Sequence, residues 1–75
     1  MKCVDFRPTK TIGQNNQKHI VAEIYSDDVP AVFPTTGVDI DNLNENYILE
    51  VGSTIYVVNT GQLYMKGETD EWVEQ

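Results

Sequence analysis

Two side chains in this 75-residue sequence have ready access to nucleophilic or metal chemistry near neutral pH, Cys3 and His19. A thiolate needs a partner that lowers its pKa, and a single Cys with a single His is a poor start for one. A zinc site needs three or four ligands, and no Cys-x-x-Cys or His-x-x-x-His spacing occurs. Cys3 therefore reads as a small hydrophobe for a core, with an intermolecular disulfide as its other use. His19, beside Lys18 at the start of a β-prone run, reads as a surface or edge residue.

The oxygen-rich run Asp39-Ile40-Asp41-Asn42-Leu43-Asn44-Glu45 starts like a calcium loop. An EF-hand wants oxygen ligands at positions 1, 3 and 5, Gly at 6 and Glu at 12. Here the fifth position is Leu43 and the sixth is Asn44, so only Asp39, Asp41 and Glu50 fit, and capping or turn roles suit these side chains better. Asp27-Asp28 and the acids between Glu68 and Glu74 offer paired carboxylates. Acid/base work also needs a pocket, which a short chain of short strands has little room to form. No catalytic, cofactor-binding or metal residue emerges, and the expectation is a protein that is not an enzyme. The aromatic residues Tyr25, Phe33, Tyr47, Tyr56, Tyr64 and Trp72 would need interleaved cations to stack nucleic acid, and after Lys18 only Lys66 remains. They read as core and subunit contacts, with Trp72 as an interface anchor.

The elements that would carry these residues are mostly strands. Residues 7 to 18 hold one large aliphatic side chain among turn formers and read as a loop or arm. Lys18 to Tyr25 alternates Ile20, Ala22 and Ile24 against Val21, Glu23 and Tyr25, a strand with one buried face. Pro30 and Pro34 make residues 28 to 34 an extended connector with Val32 and Phe33 as pegs. A turn at Thr35-Thr36-Gly37 and a short 3₁₀ turn or ordered loop over 39 to 46 follow. Tyr47 to Val51, Thr54 to Val58, Gln62 to Met65 and Trp72 to Glu74 then read as a meander of hairpins. Asn59-Thr60-Gly61 suits a three-residue hairpin loop with a left-handed Gly. Three segments result: an arm and first strand over 1–28, a connector over 29–46 and a β-module over 47–75. The expected fold is mainly β, a small antiparallel meander with an extended N-terminal arm and at most one short helical turn, completed by oligomerisation.

That last clause comes from size and charge. A domain this short buries only about 60% of the surface its unfolded chain exposes. Such scaffolds lean on disulfides, metals or assembly, and one Cys closes no internal disulfide. In the Thr54 to Val58 strand, Ile55 and Val57 share one face while Thr54, Tyr56 and Val58 share the other, and both faces want cover. Residues 1–22 carry four cations against Asp5, a net of +3, while residues 23–75 carry eleven acids against Lys66, a net of −10. A chain of that sign repels nucleic acid and acidic membranes. The basic arm suits an acidic neighbour, including the acidic part of another copy in head-to-tail fashion. No apolar run reaches the roughly 18 residues of a membrane span, and the first residues lack a secretory signal's apolar stretch, so a cytosolic setting is expected.

Four segments together carry a family resemblance: Phe33-Pro34-Thr35-Thr36-Gly37-Val38-Asp39, then Gly52-Ser53-Thr54-Ile55-Tyr56-Val57-Val58-Asn59-Thr60-Gly61, then Leu63-Tyr64-Met65 and Glu71-Trp72-Val73-Glu74-Gln75. Over about residues 29 to 75 the chain resembles small virion-associated proteins of tailed bacteriophages and prophages. The resemblance implies a compact β-rich module, often trimeric, that decorates the head or caps a fibre base. It implies no cofactor and no catalytic residue. Its implied partners are further copies, most simply a trimer, and other virion proteins such as the capsid, with no nucleic acid or membrane; its location is the virion, after synthesis in the host cytoplasm. The interface expected from it and from the hairpin comprises Phe33, Ile55, Tyr56, Val57, Val58, Leu63, Tyr64 and Trp72. The alternative function is an acidic phage-encoded inhibitor that fills a basic groove of a host protein, which high salt would weaken.

Overall fold

A computed structural model describes residues 2–12, 19–34 and 48–75 of the chain. They form six strands: β1 Cys3–Thr11, β2 His19–Ser26, β3 Ile48–Leu49, β4 Thr54–Val57, β5 Leu63–Lys66 and β6 Trp72–Glu74. No helix occurs among the described residues, and the chain is mainly β. All six strands belong to one sheet in the order β1-β2-β4-β5-β6, with β3 beside β2 ahead of β4. The expected turns over 35–37 and 39–46, the calcium-like Asp39 and Asp41, Tyr47 and residues 13–18 lie outside the described residues.

β2 is the centre of the fold, and its alternation explains why. Ile20, Ala22 and Ile24 point to one side and are no more than 2% exposed, while His19, Val21, Glu23 and Tyr25 on the other side stay half-buried. The inner face is completed by Leu49 from β3 and by Ile55 and Val57 from β4, all buried. Cys3, Phe6, Phe33, Tyr64 and Trp72 pack around this cluster. The connector after β2 seats Pro30 and Phe33 against the protein but leaves Val32 at 85% exposure, so only one of the two expected pegs is used.

Two expectations change. The segment from Arg7 to Thr11 is not a loop; it is the second half of β1, paired antiparallel with β2 from Cys3↔Ser26 to Thr11↔Ile20. Its own side chains bury little, and what orders it is the ladder offered by β2, closed by the Ile12 N–H donating to the His19 carbonyl at 2.8 Å. Pro8 is tolerated because β1 lies at the sheet edge, where a missing N–H leaves no central ladder bond unmade. The sheet is also mixed instead of purely antiparallel, since β3 and β4 both run parallel to β2. A parallel return needs a connection of a dozen or more residues, and residues 27–47 supply it. The C-terminal hairpins follow the expected plan: β4 pairs antiparallel with β5, and β5 with β6. Gly61 takes the left-handed φ of 76° that its loop demands, and its N–H donates to the Val57 carbonyl at 2.7 Å.

Candidate interaction surface

The two faces of the sheet differ in who covers them. On the inner face Phe33 stacks at 6.2 Å on Trp72 and meets Tyr64 edge-on at 5.0 Å. Trp72 is pinned there by its indole N–H, which donates to the Pro34 carbonyl at 2.9 Å. Three of the residues expected at an interface, Phe33, Tyr64 and Trp72, thus form one aromatic cluster within the chain. Ile55 and Val57 have no exposed surface left. The remaining expected residues, Tyr56, Val58 and Leu63, lie on or beside the outer face.

That outer face is built from cross-strand rows. One row runs Asp5, Tyr25, Tyr56, Leu63, and the next runs Arg7, Glu23, Thr54, Met65, Val73. Tyr25 meets Tyr56 edge-on at 6.1 Å, and the Arg7 guanidinium lies 5.2 Å from the centre of the Tyr25 ring. Arg7 Nε also donates to Asp5 Oδ2 at 2.7 Å, and this contact holds the Asp5 carboxyl below its usual range. The Tyr25 hydroxyl donates to Glu23 Oε2 at 3.3 Å. Beyond this polar corner the surface turns apolar: Tyr56 and Met65 are each 39% exposed and Val73 is 46% exposed, with Val58 at the end of β4 also open.

Cys3 and His19 stand at opposite ends of β2, Cys3 beside Ser26 and His19 at the strand's first position, roughly 23 Å apart at strand rise. They form no joint site. His19 Nδ1 instead lies 2.5 Å from Glu50 Oε1 and ties β2 to the end of β3. Cys3 is half-buried, and burial pushes its thiol pKa up.

Two structural roles escaped sequence reading. Between Leu49 and Thr54 the chain spends four residues where β2 spends two, so the ladder breaks at Ala22. Buried Ser53 repairs it: its Oγ accepts the Ala22 N–H at 3.2 Å. Gly52, with φ of 93°, makes the bend that places Ser53. The Gly-Ser dipeptide was legible as a turn, but which donor it satisfies depends on a strand 31 residues earlier in the chain. Lys66 is the second case. It is 4% exposed, its Nζ lies 3.1 Å from Asp70 Oδ1, and it approaches the Trp72 ring at 6.0 Å.

The chain matches no protein-family model, no curated protein and no solved structure.

Proposed function

We propose that the protein is a non-catalytic structural subunit that assembles with further copies of itself, as a head-fibre or decoration-type component of a tailed-bacteriophage particle. The observation that carries the assembling half of this reading is the outer sheet face. Tyr56, Val58, Met65 and Val73 are exposed apolar side chains on or beside this face, whereas the buried hydrophobic cluster among the described residues has six members. Exposed apolar patches mark interaction sites in soluble proteins. The virion half rests on the resemblance of residues 29 to 75, and its partner beyond the copies themselves is a capsid or fibre-base protein.

Light-scattering mass measurement across a concentration series tests the first half, with an oligomer expected at high micromolar protein. A strict monomer there removes the reading. Cosedimentation with purified phage heads tests the second, and absence of binding to any particle restricts the protein to self-assembly.

A further inference from the structure

β1 is a nine-residue strand at the edge of the sheet, and among the described residues no strand lies beyond it. A long open edge is a template on which another strand pairs. What it offers depends on which of its N–H groups point outward, and the hydrogen bonds at its two ends settle that. At one end the Asp27 N–H donates to the Lys2 carbonyl at 3.0 Å; at the other the Ile12 N–H donates to the His19 carbonyl at 2.8 Å. Bonded and non-bonded pairs alternate along an antiparallel ladder. Counted inward through the register from either end, with Val4 and Thr9 as the extra residues at the two shifts, Phe6↔Ile24 and Pro8↔Ala22 are non-bonded pairs. The backbones of Phe6 and Pro8 therefore face away from β2, toward the open side.

Neither presents a donor there. Pro8 has no N–H. The Phe6 N–H donates to Asp5 Oδ1 at 2.9 Å, and Asp5 is itself held by Arg7 Nε, which donates to Oδ2 at 2.7 Å. At Thr9 the side chain turns back to the sheet, its hydroxyl donating to the Val21 carbonyl at 3.1 Å. The register shifts at Val4 and Thr9 bracket this stretch, and each interrupts the even spacing that a further strand would need. Arg7 and Lys10 add exposed charge to the same segment.

We propose that Asp5, Phe6 and Pro8 form a guard that closes the β1 edge to strand addition, so that no second chain, copies of this protein included, lengthens the sheet on that side. The Asp5 carboxylate takes the place of a partner strand's carbonyl, and Pro8 deletes the next outward donor. Outward donors recur at every second residue, so two successive losses leave the carbonyls of an added strand without N–H partners across the middle of β1. The inference is independent of assembly through any other surface of the protein.

Opening the edge tests it. Pro8→Val restores the outward N–H, Asp5→Ala removes the acceptor of the Phe6 N–H, and Asp5→Asn keeps an Oδ1 acceptor and is the control. Circular dichroism confirms a cooperative melt for each variant, and light scattering over a concentration series and hydrogen exchange at positions 6 and 8 then follow association. The double variant Asp5→Ala/Pro8→Val is expected to associate at roughly tenfold lower concentration than the wild type, with new protection of the amides at both positions. Pro8→Val alone is expected to move association the same way by less, and Asp5→Asn to match the wild type. A folded double variant that associates no more than the wild type, association without protection at those two amides, or a wild type whose position-6 amide selectively gains protection on assembly overturns the guard. If the double variant does not fold, Pro8→Val decides the matter by the same two readouts.

Discussion

Ser53 shows how one hydroxyl can stand in for a strand. The Ala22 N–H is buried where the ladder along β2 passes from β3 to β4, and Ser53 Oγ is its acceptor. Ser53→Ala removes that acceptor with almost no change in volume, so the orphaned donor should cost about 1–3 kcal/mol. Urea unfolding of the variant reads the loss; a change below a few tenths of a kcal/mol would mean that water or a shifted carbonyl replaces the hydroxyl. Among the described residues two carboxylates, Asp5 and Asp27, bear on the acid side of stability. Asp27 is held below its usual range chiefly by the Lys2 N–H, which donates to its Oδ1 at 2.7 Å, and Asp5 chiefly by the Arg7 side chain. A carboxyl depressed in the folded state adds stability that is complete above its unfolded pKa of about 3.9 and disappears as pH falls through the lower folded value. Melting temperature should therefore fall with acid below about pH 4, and Asp27→Asn should flatten that limb while leaving the neutral-pH behaviour of the Arg7–Asp5 pair intact.

At the scale of elements, β1 and β4 illustrate opposite ways to earn a place in the sheet. β4 is specified by its own residues: alternating Ile55 and Val57 are wholly buried against β2 and β5. Ile55→Ala should cost about 2–5 kcal/mol, enough in a core this small to unfold a large fraction of the protein, and loss of cooperative thermal unfolding is the readout. β1 is specified by its neighbour. Apart from Cys3 and Phe6, which pack against the core, its residues bury little, and it is ordered by the ladder to β2 and by polar contacts at its ends. Hydrogen exchange should accordingly release the β1 amides well before those of β2, since edge strands with few buried contacts open locally. The β4–β5 loop depends on Gly61, whose φ of 76° no β-carbon residue adopts freely. Nothing lies within 4 Å of its Cβ position, so Gly61→Ala tests backbone conformation alone and should cost about 1 kcal/mol in urea unfolding.

For the whole molecule, a buried cluster of six apolar residues among the described ones and an outer face with exposed apolar side chains lead to the proposal that stability and assembly are linked. If copies cover the outer face only when folded, association adds stability by mass action, and the melting temperature should rise with protein concentration. Differential scanning calorimetry between low and high micromolar protein measures this. Tyr56→Asp should remove the concentration dependence and leave the melting temperature of the dilute protein nearly unchanged, because Tyr56 lies outside the buried core.

Much of this was written locally in the chain. Alternation marked β2, Asn59-Thr60-Gly61 marked the β4–β5 hairpin, and the short β-prone runs after it marked β5 and β6, because each depends on residues near one another in sequence. The two-sided character of the Thr54 to Val58 run, the thin core and the split of charge into a basic start and an acidic remainder were legible for the same reason. Tertiary structure alone decided the rest. It made Arg7 to Thr11 a strand, because a ladder from β2 can order a segment that buries little itself. It ran β3 and β4 parallel to β2, because the 21 residues between β2 and β3 permit a return that no local signal announces. Pairing across distance also turned Ser53 into the acceptor for Ala22 and set the two charged segments at opposite edges of one sheet. A sequence pattern states which residues want burial; only the pairing of distant strands states which of them the chain itself can cover.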